Sequence, residues 1–258
     1  MCPSPDEATL AGLGIAITGA IGDIGLAMAV ELAGRASLVS LIDVVEEQAA
    51  APRLAAVAAA GAYTYHRADV TDRAAVEAVL ASIDPLDVVI GNAGIVLPAP
   101  FLDVSAQQWQ RQLDVNLTGC FNVGQAAARL MVERRHPGKI IFTGSWVGDI
   151  PWPDISAYSV TKAGIRMLAR SMARELAAHG IRVNVVAPGI VFAGMARHQY
   201  QTDPQYARRA SAAIPLGEFG TAEQIGKAAA FLCSADSDYM TGSVLLIDGG
   251  ASLFRLAE

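Results

Sequence analysis

Tyr158 and Lys162 stand four residues apart in the run AYSVTKAG. If that run is helical, the two side chains share one face, a single turn apart. An ammonium held beside a phenol favours the phenolate and draws a hydroxyl pKa of about 10 toward working pH. Such a pair can give or take a proton at a carbonyl or alcohol carbon. Ser145, just beyond the apolar run KIIFT, supplies a hydroxyl to hydrogen-bond the oxygen of the same substrate.

These three groups need a scaffold that gathers them at one edge. Short apolar runs alternate with alanine-rich amphipathic segments along most of the chain. The expected strands are Gly14–Thr18, Ser37–Ile42, Tyr63–Arg67, Val88–Gly91, Lys139–Thr143, Arg182–Val186 and Val244–Ile247. The expected helices are Ile24–Gly34, Glu46–Ala60, Ala74–Ile83, Ala106–Arg134, Ala157–His179 and Ala222–Cys233. Continuously apolar strands between helices predict an α/β fold, a doubly wound parallel sheet in a single domain over residues 1–258. Residues 189–220 break the rhythm and are expected to form a long substrate lobe on that domain.

The first strand runs straight into TGAIGDIG, residues 18–25, and then into a helix. A strand, a glycine-rich turn and a helix N-terminus together make an anion site of free backbone N–H groups, with Gly19, Ile24 and Gly25 at the phosphates. Asp43, closing the second strand 18 residues after Gly25, suits the adenosine ribose hydroxyls and would repel a 2′-phosphate. No Arg or Lys stands at Ile21, Gly22 or Val44 to rescue one, so NAD is the expected cofactor. ADVTD places Asp69 and Val70 against the adenine, and GNAG brings Asn92 and Gly94 close to the cofactor. Asp23 occupies a place where such loops carry glycine, and its carboxylate is expected to turn aside and cap the helix that follows.

The net charge of −6 and the thinly spread Lys and Arg argue against a nucleic-acid partner. The longest uncharged stretch, Val88 to Leu102, is broken by Gly and Pro, so no membrane partner is expected. MCPSPDEATL lacks the charged and apolar regions of a signal peptide. Cys2, Cys120 and Cys233 form no CxxC pair; Cys120 and Cys233 read as buried thiols and point to a reducing cytoplasm. No metal site is expected.

Over essentially its whole length the sequence resembles the single-domain short-chain dehydrogenase/reductase family. The matching pieces are the Gly loop, ADV, NAG, DVNLTG, Ser145, YSVTK, RVNVVAPG and TGSVLLIDGG. The resemblance implies a Rossmann-type sheet of seven strands, hydride transfer between nicotinamide and a CH–OH group, and a homotetramer. It also implies a catalytic set: Tyr158 as acid/base, Lys162 lowering its pKa and holding the nicotinamide ribose, Ser145 orienting the substrate, Asn116 placing a relay water. Pro188, Gly189 and Val191 fall on the segment that holds the carboxamide. The family pattern has a glycine where Asp23 stands and often a hydroxyl where Ala193 stands.

Trp146, Val147 and Trp152, between Ser145 and Tyr158, are expected to wall the substrate pocket, with Phe192 and Met195 facing them. The segment IPWP resembles glucose 1-dehydrogenase-like and other sugar or polyol members of the family. The apolar residues leave a hydrophobic ketone as the alternative substrate. A 3-oxoacyl carrier-protein reductase is a further reading, with Arg197, Arg208 and Arg209 as its small basic landing patch. A non-catalytic dinucleotide-binding protein is the reading from a different class.

Overall fold

The computed structural model describes residues 10–35 and 38–253; most of the N-terminal run read for a leader, Cys2 and Ser37 lie outside them. Seven strands form one sheet in the order β3-β2-β1-β4-β5-β6-β7, and every neighbouring pair is parallel. They are β1 Gly14–Thr18, β2 Leu38–Asp43, β3 Tyr63–Arg67, β4 Val88–Gly91, β5 Lys139–Thr143, β6 Arg182–Pro188 and β7 Val244–Ile247. The helices are α1 Asp23–Ala33, α2 Glu47–Ala60, α3 Arg73–Ala81, α4 Ala106–Gln112, α5 Gly119–Glu133, α6 Ser156–Leu176, α7 Gly194–Thr202, α8 Pro204–Ala212 and α9 Ala222–Cys233.

The continuous apolar runs follow from burial on both faces. Within β1, Ile15 and Ile17 point to one side, packing with Met28 and Leu32 of α1, Leu54 of α2 and Ile225 of α9. Ala16 points to the other, toward Leu80 of α3, Val123 and Met131 of α5 and Ile165 of α6. Alternate residues therefore serve opposite cores, and a polar residue at either register would be stranded. The thiols of Cys120 and Cys233 lie inside these two cores. Burial pushes them up to about 11 and about 12, outweighing the pull of Lys162 on the one and Lys139 on the other.

Two expectations are corrected. The single helix read over Ala106–Arg134 is interrupted by a π-helical stretch, Leu113–Thr118, between α4 and α5. Asn116 sits in that stretch with its side chain bonded to the backbone of Ile95, and such wide turns are common beside functional residues. Residues 189–220 are not an irregular excursion, since they carry α7 and α8. Asp203 caps α8, accepting from the N–H groups of Gln205 and Tyr206, and Pro204 occupies its first turn.

The C-terminal ends of three adjacent strands are tied by one amide. Asn92 Nδ2 donates to the carbonyls of Thr18 (3.2 Å) and Gly19 (3.0 Å), and Oδ1 accepts from Thr143 Oγ1 (3.0 Å). Thr18 ends β1, Asn92 follows β4 and Thr143 ends β5, so the amide ties the central strand β4 to both of its neighbours. Asn92→Ala is expected to lower unfolding stability by about 2–3 kcal/mol, at about 1 kcal/mol per bond, measured by urea titration. A change below about 0.5 kcal/mol would show that water replaces the amide freely.

Candidate active site

The corner that holds Ser145, Tyr158 and Lys162 is built where α6 begins, beside the end of β5. Lys162 is buried, yet among the described residues no carboxylate lies within ion-pair distance of it. Its Nζ donates to the Thr143 carbonyl at 2.8 Å and stands 5.3 Å from the centre of the Tyr158 ring. An ammonium has three N–H donors, so two remain to serve the cavity and the phenol. Ser145 is buried, with extended backbone. Its hydroxyl oxygen accepts from the Val147 N–H at 3.4 Å, which leaves the O–H as a donor. Arg166 Nη2 clamps the Ser145 carbonyl at 2.8 Å, and its other arm pairs with Asp149.

Asn116 is spent on its neighbours. Oδ1 accepts from the Ile95 N–H (2.8 Å), while Nδ2 donates to the Ile95 carbonyl (2.8 Å) and to Thr161 Oγ1 (3.2 Å). It therefore pins the loop after β4 against α6. Gly94 keeps the space beside it open: a Cβ there would lie 3.4 Å from Asn116 Oδ1 and 3.7 Å from Lys162 Nζ.

The glycine-rich turn after β1 has the geometry to hold a dinucleotide. The N-terminus of α1 has Gly22 at its N-cap and no side chain capping it, which leaves it open to an anion. Gly19 has φ +62° and approaches Ala93 so closely that a Cβ would come within 2.6 Å of its Cα. A Cβ on Gly25 would lie 2.2 Å from the Gly19 carbonyl oxygen and 2.8 Å from Asn92 Nδ2. Asp43, at the end of β2, accepts from the Ile21 N–H (3.0 Å) and the Val45 N–H (3.2 Å), and it lines the same cavity. Asp69 is fixed by the Thr71 N–H (2.9 Å) and hydroxyl (2.8 Å). Burial pushes its carboxyl up, but these bonds and the Arg111 charge bring it to below the usual range. The Val70 carbonyl accepts from Asn122 Nδ2 (2.9 Å), which holds that stretch in place.

Asp23 does not cap α1. It is the first residue of that helix, and its carboxylate reaches out to Arg53, Arg197 and the Gly194 N–H. The sequence expectation was right that it turns aside and wrong about where it goes.

One cavity of about 720 Å³ joins these parts. Its lining includes Gly19, Ile24, Gly25, Asp43, Asp69, Val70, Asn92, Gly94, Ser145, Tyr158, Lys162, Pro188, Gly189 and Val191. At the substrate end stand Trp146, Val147 and Trp152, the two indoles meeting edge to face at 5.2 Å. Tyr206 and Arg209 of α8 complete that wall, with the Arg209 guanidinium 5.2 Å from the Trp152 ring centre and 3.6 Å from Asp154. Phe192, expected in the pocket, is outside its lining: it packs edge to face with Tyr200 and Phe219. Val191 is buried in a bridge to Gly220, and the next residue, Phe192, is exposed. The Met195 side chain lies outside the described residues.

Sequence reasoning missed Arg166, Tyr206 and the Thr143 carbonyl, and read Arg209 as part of a landing patch and not as a wall of the cavity. Arg166 had a signal, since it is one helical turn beyond Lys162. The Thr143 contact is made by backbone, which no residue type announces.

A family model described as Enoyl-(Acyl carrier protein) reductase matches residues 19–252. The 3beta-hydroxysteroid dehydrogenase 1 of Eggerthella lenta is 34% identical over 250 residues, 95% of this chain and 95% of that protein. A gluconate 5-dehydrogenase from Burkholderia cenocepacia J2315, solved with NADP and tartrate, superposes with a TM-score of 0.89 at 33% identity, covering 97% of this chain and 99% of that one. NAD+-bound xylitol dehydrogenase superposes at 0.87 with 32% identity, over 93% and 99%. The chain belongs to the short-chain dehydrogenase/reductase family, and it is an oxidoreductase of alcohol and carbonyl groups that works with a nicotinamide dinucleotide.

Gly25→Ala is expected to weaken NADH binding at least about fivefold, because overpacking costs about 1–3 kcal/mol. Fluorescence titration of bound NADH measures it. Unchanged affinity would place the dinucleotide elsewhere.

Proposed function

We propose that this chain oxidises a secondary alcohol of a sugar or polyol with NAD, using Ser145, Tyr158 and Lys162. The observation that carries the reading is the buried Lys162, held by one carbonyl beside Tyr158 on the wall of the glycine-lined cavity. Bound nicotinamide supplies the hydride acceptor. Tyr158, as phenolate, takes the hydroxyl proton of the substrate. Lys162 stabilises that phenolate through its charge and offers a remaining N–H to the nicotinamide ribose. Ser145 donates to the substrate oxygen, and the Arg166 clamp on its carbonyl keeps it aimed. Asn116 holds the loop at Ile95 and leaves the gap at Gly94 as the place for a relay water.

Asp43 is the support for NAD. Two cations on that side of the sheet are engaged, Arg67 by Glu46 at 2.6 Å and Arg53 by Asp23, while Arg111 in the cavity lining acts on Asp69. A 2′-phosphate would meet the carboxylate of Asp43 with no unpaired guanidinium from Arg53 or Arg67. The similar gluconate 5-dehydrogenase was solved with NADP, the similar xylitol dehydrogenase with NAD+.

The sugar or polyol reading draws on the indole of Trp152 set beside Asp154 and Arg209, an apolar face with polar groups at its rim. The similar gluconate 5-dehydrogenase and xylitol dehydrogenase fit it. The similar 3beta-hydroxysteroid dehydrogenase keeps a hydrophobic alcohol as the second reading, favoured by Trp146 and Val147 in the wall. Of the basic patch of the carrier-protein reading, Arg197 pairs with Asp23 and Arg209 lies over Trp152, which leaves the exposed Arg208.

A homotetramer in the cytoplasm completes the proposal. Val160 and Met167 on α6, Phe121 and Val132 on α5 and Leu246 on the edge strand β7 are exposed apolar groups that copies of the chain would cover. Residues 189–220 serve as the substrate lobe. Among the described residues no helix is long and apolar enough to cross a membrane.

The test is an NAD- and NADP-reduction screen over sugars, polyols, secondary alcohols and hydroxysteroids. The expected result is turnover of a sugar or polyol, with kcat/KM at least about tenfold higher for NAD, and a narrowing of that ratio in Asp43→Ala. Equal use of NADP by the wild type would overturn the cofactor assignment. Turnover confined to hydroxysteroids would overturn the substrate class.

A further inference from the structure

Asp23 is the residue that breaks the glycine pattern of the cofactor loop, and it is also the residue through which that loop touches the substrate lobe. Its side chain is mostly buried, at 18% exposure. One carboxylate oxygen pairs with Arg53 of α2. The other accepts from the Gly194 N–H at 2.7 Å and from Arg197 Nη2 at 3.0 Å. The hydrogen bond from Arg53 is the chief reason its carboxyl sits below the usual range; burial works against it, and the Gly194 N–H and Arg197 charge add to it.

Gly194 opens α7, with φ +45°, and the N-cap of α7 is Ala193, which has no side-chain acceptor. A helix N-terminus ordinarily obtains its acceptor from the N-cap side chain. Here the acceptor comes from residue 23, 171 positions away in sequence. The two departures from the family pattern thus meet at one point. A hydroxyl residue at 193 would cap α7 at its second or third N–H; with alanine there, the bond from the first N–H to Asp23 is the side-chain cap that α7 has among the described residues.

The consequence is mechanical. α7 leads into α8, whose Tyr206 and Arg209 form the outer wall of the cavity against Trp152. Asp23 lines the same cavity beside the N-terminus of α1. We propose that Asp23 is a positioning residue: it caps α7 from the glycine-rich loop and so holds the α7–α8 lobe closed over the cofactor cleft. Arg53 and Arg197 offset its charge next to the phosphate-binding N–H groups. The reading rests on the cavity's being the dinucleotide and substrate site.

The test measures amide hydrogen exchange and steady-state kinetics on Asp23→Gly, Asp23→Asn and the double variant Asp23→Gly/Ala193→Thr. In Asp23→Gly, the α7 amides are expected to exchange about fivefold faster, the effect of losing one helix cap, while the sheet amides keep their rates. Substrate KM rises about as much and kcat changes little. Asp23→Asn, which keeps an acceptor oxygen but no charge, is expected to fall between. The threonine in the double variant restores both the α7 protection and KM. Wild-type exchange in α7 of Asp23→Gly overturns the proposal. So does faster exchange throughout the sheet, which would make Asp23 a general stabiliser, and so does failure of threonine to restore protection. Exchange is read without substrate, so a mistaken substrate class leaves it standing; a wild type that fails to bind NADH would sink the functional reading and leave the α7 contrast intact.

Discussion

The structure depends on Asn92. Its amide joins the ends of β1, β4 and β5 by three side-chain hydrogen bonds, and the loops that bear the glycine cradle, Gly94 and Ser145 all leave from those ends. A parallel sheet sends every strand end of one polarity to the same edge. Gathering loops there is topology; fixing their spacing needs a bond between them. Thr18 adds to the same knot, its Oγ1 accepting from the Asn92 and Ala93 N–H groups. With those ends tied, Gly19 can approach Ala93 more closely than any side chain would allow, and the cradle stays narrow.

The second constraint is a positive charge placed where water is scarce. Among the described residues Lys162 has the Thr143 carbonyl as its one hydrogen-bond acceptor, and a buried ammonium is costly unless its remaining donors are used. In the proposed mechanism those donors would meet the phenolate of Tyr158 and a ribose hydroxyl. Cys120 lies close enough to feel the same charge, yet burial outweighs it and pushes the thiol up to about 11. Arg166, one turn beyond Lys162, is the complementary device. It pairs with Asp149 at the surface and spends its other arm on the Ser145 backbone.

Much of this was legible in the sequence because strand and helix periods are strong signals. Five strands match at both ends, and α9 matches residue for residue. The site residues were legible for the same reason: a sheet edge is reached at predictable points, and Tyr158 and Lys162 share a helical face. Three features were hidden by their physics. The π-helical stretch at Leu113–Thr118 comes from a side chain that bonds to a distant backbone, and such a bond leaves no mark on hydrophobic periodicity. The outward course of Phe192 depends on a turn whose direction tertiary packing decides. The reach of Asp23 to Gly194 is a long-range cap; local capping rules point such a carboxylate at its own helix.

The central claim is direct hydride transfer to a dinucleotide in this cavity, with Tyr158 as the proton acceptor. The most direct measurement uses a turned-over secondary alcohol carrying deuterium at the carbinol carbon, with mass spectrometry of the NADH formed. The account expects the deuterium on the nicotinamide ring with the wild type, and no NADH above background with Tyr158→Phe although that variant still binds NADH. Unlabelled NADH, or full turnover by Tyr158→Phe, would contradict it.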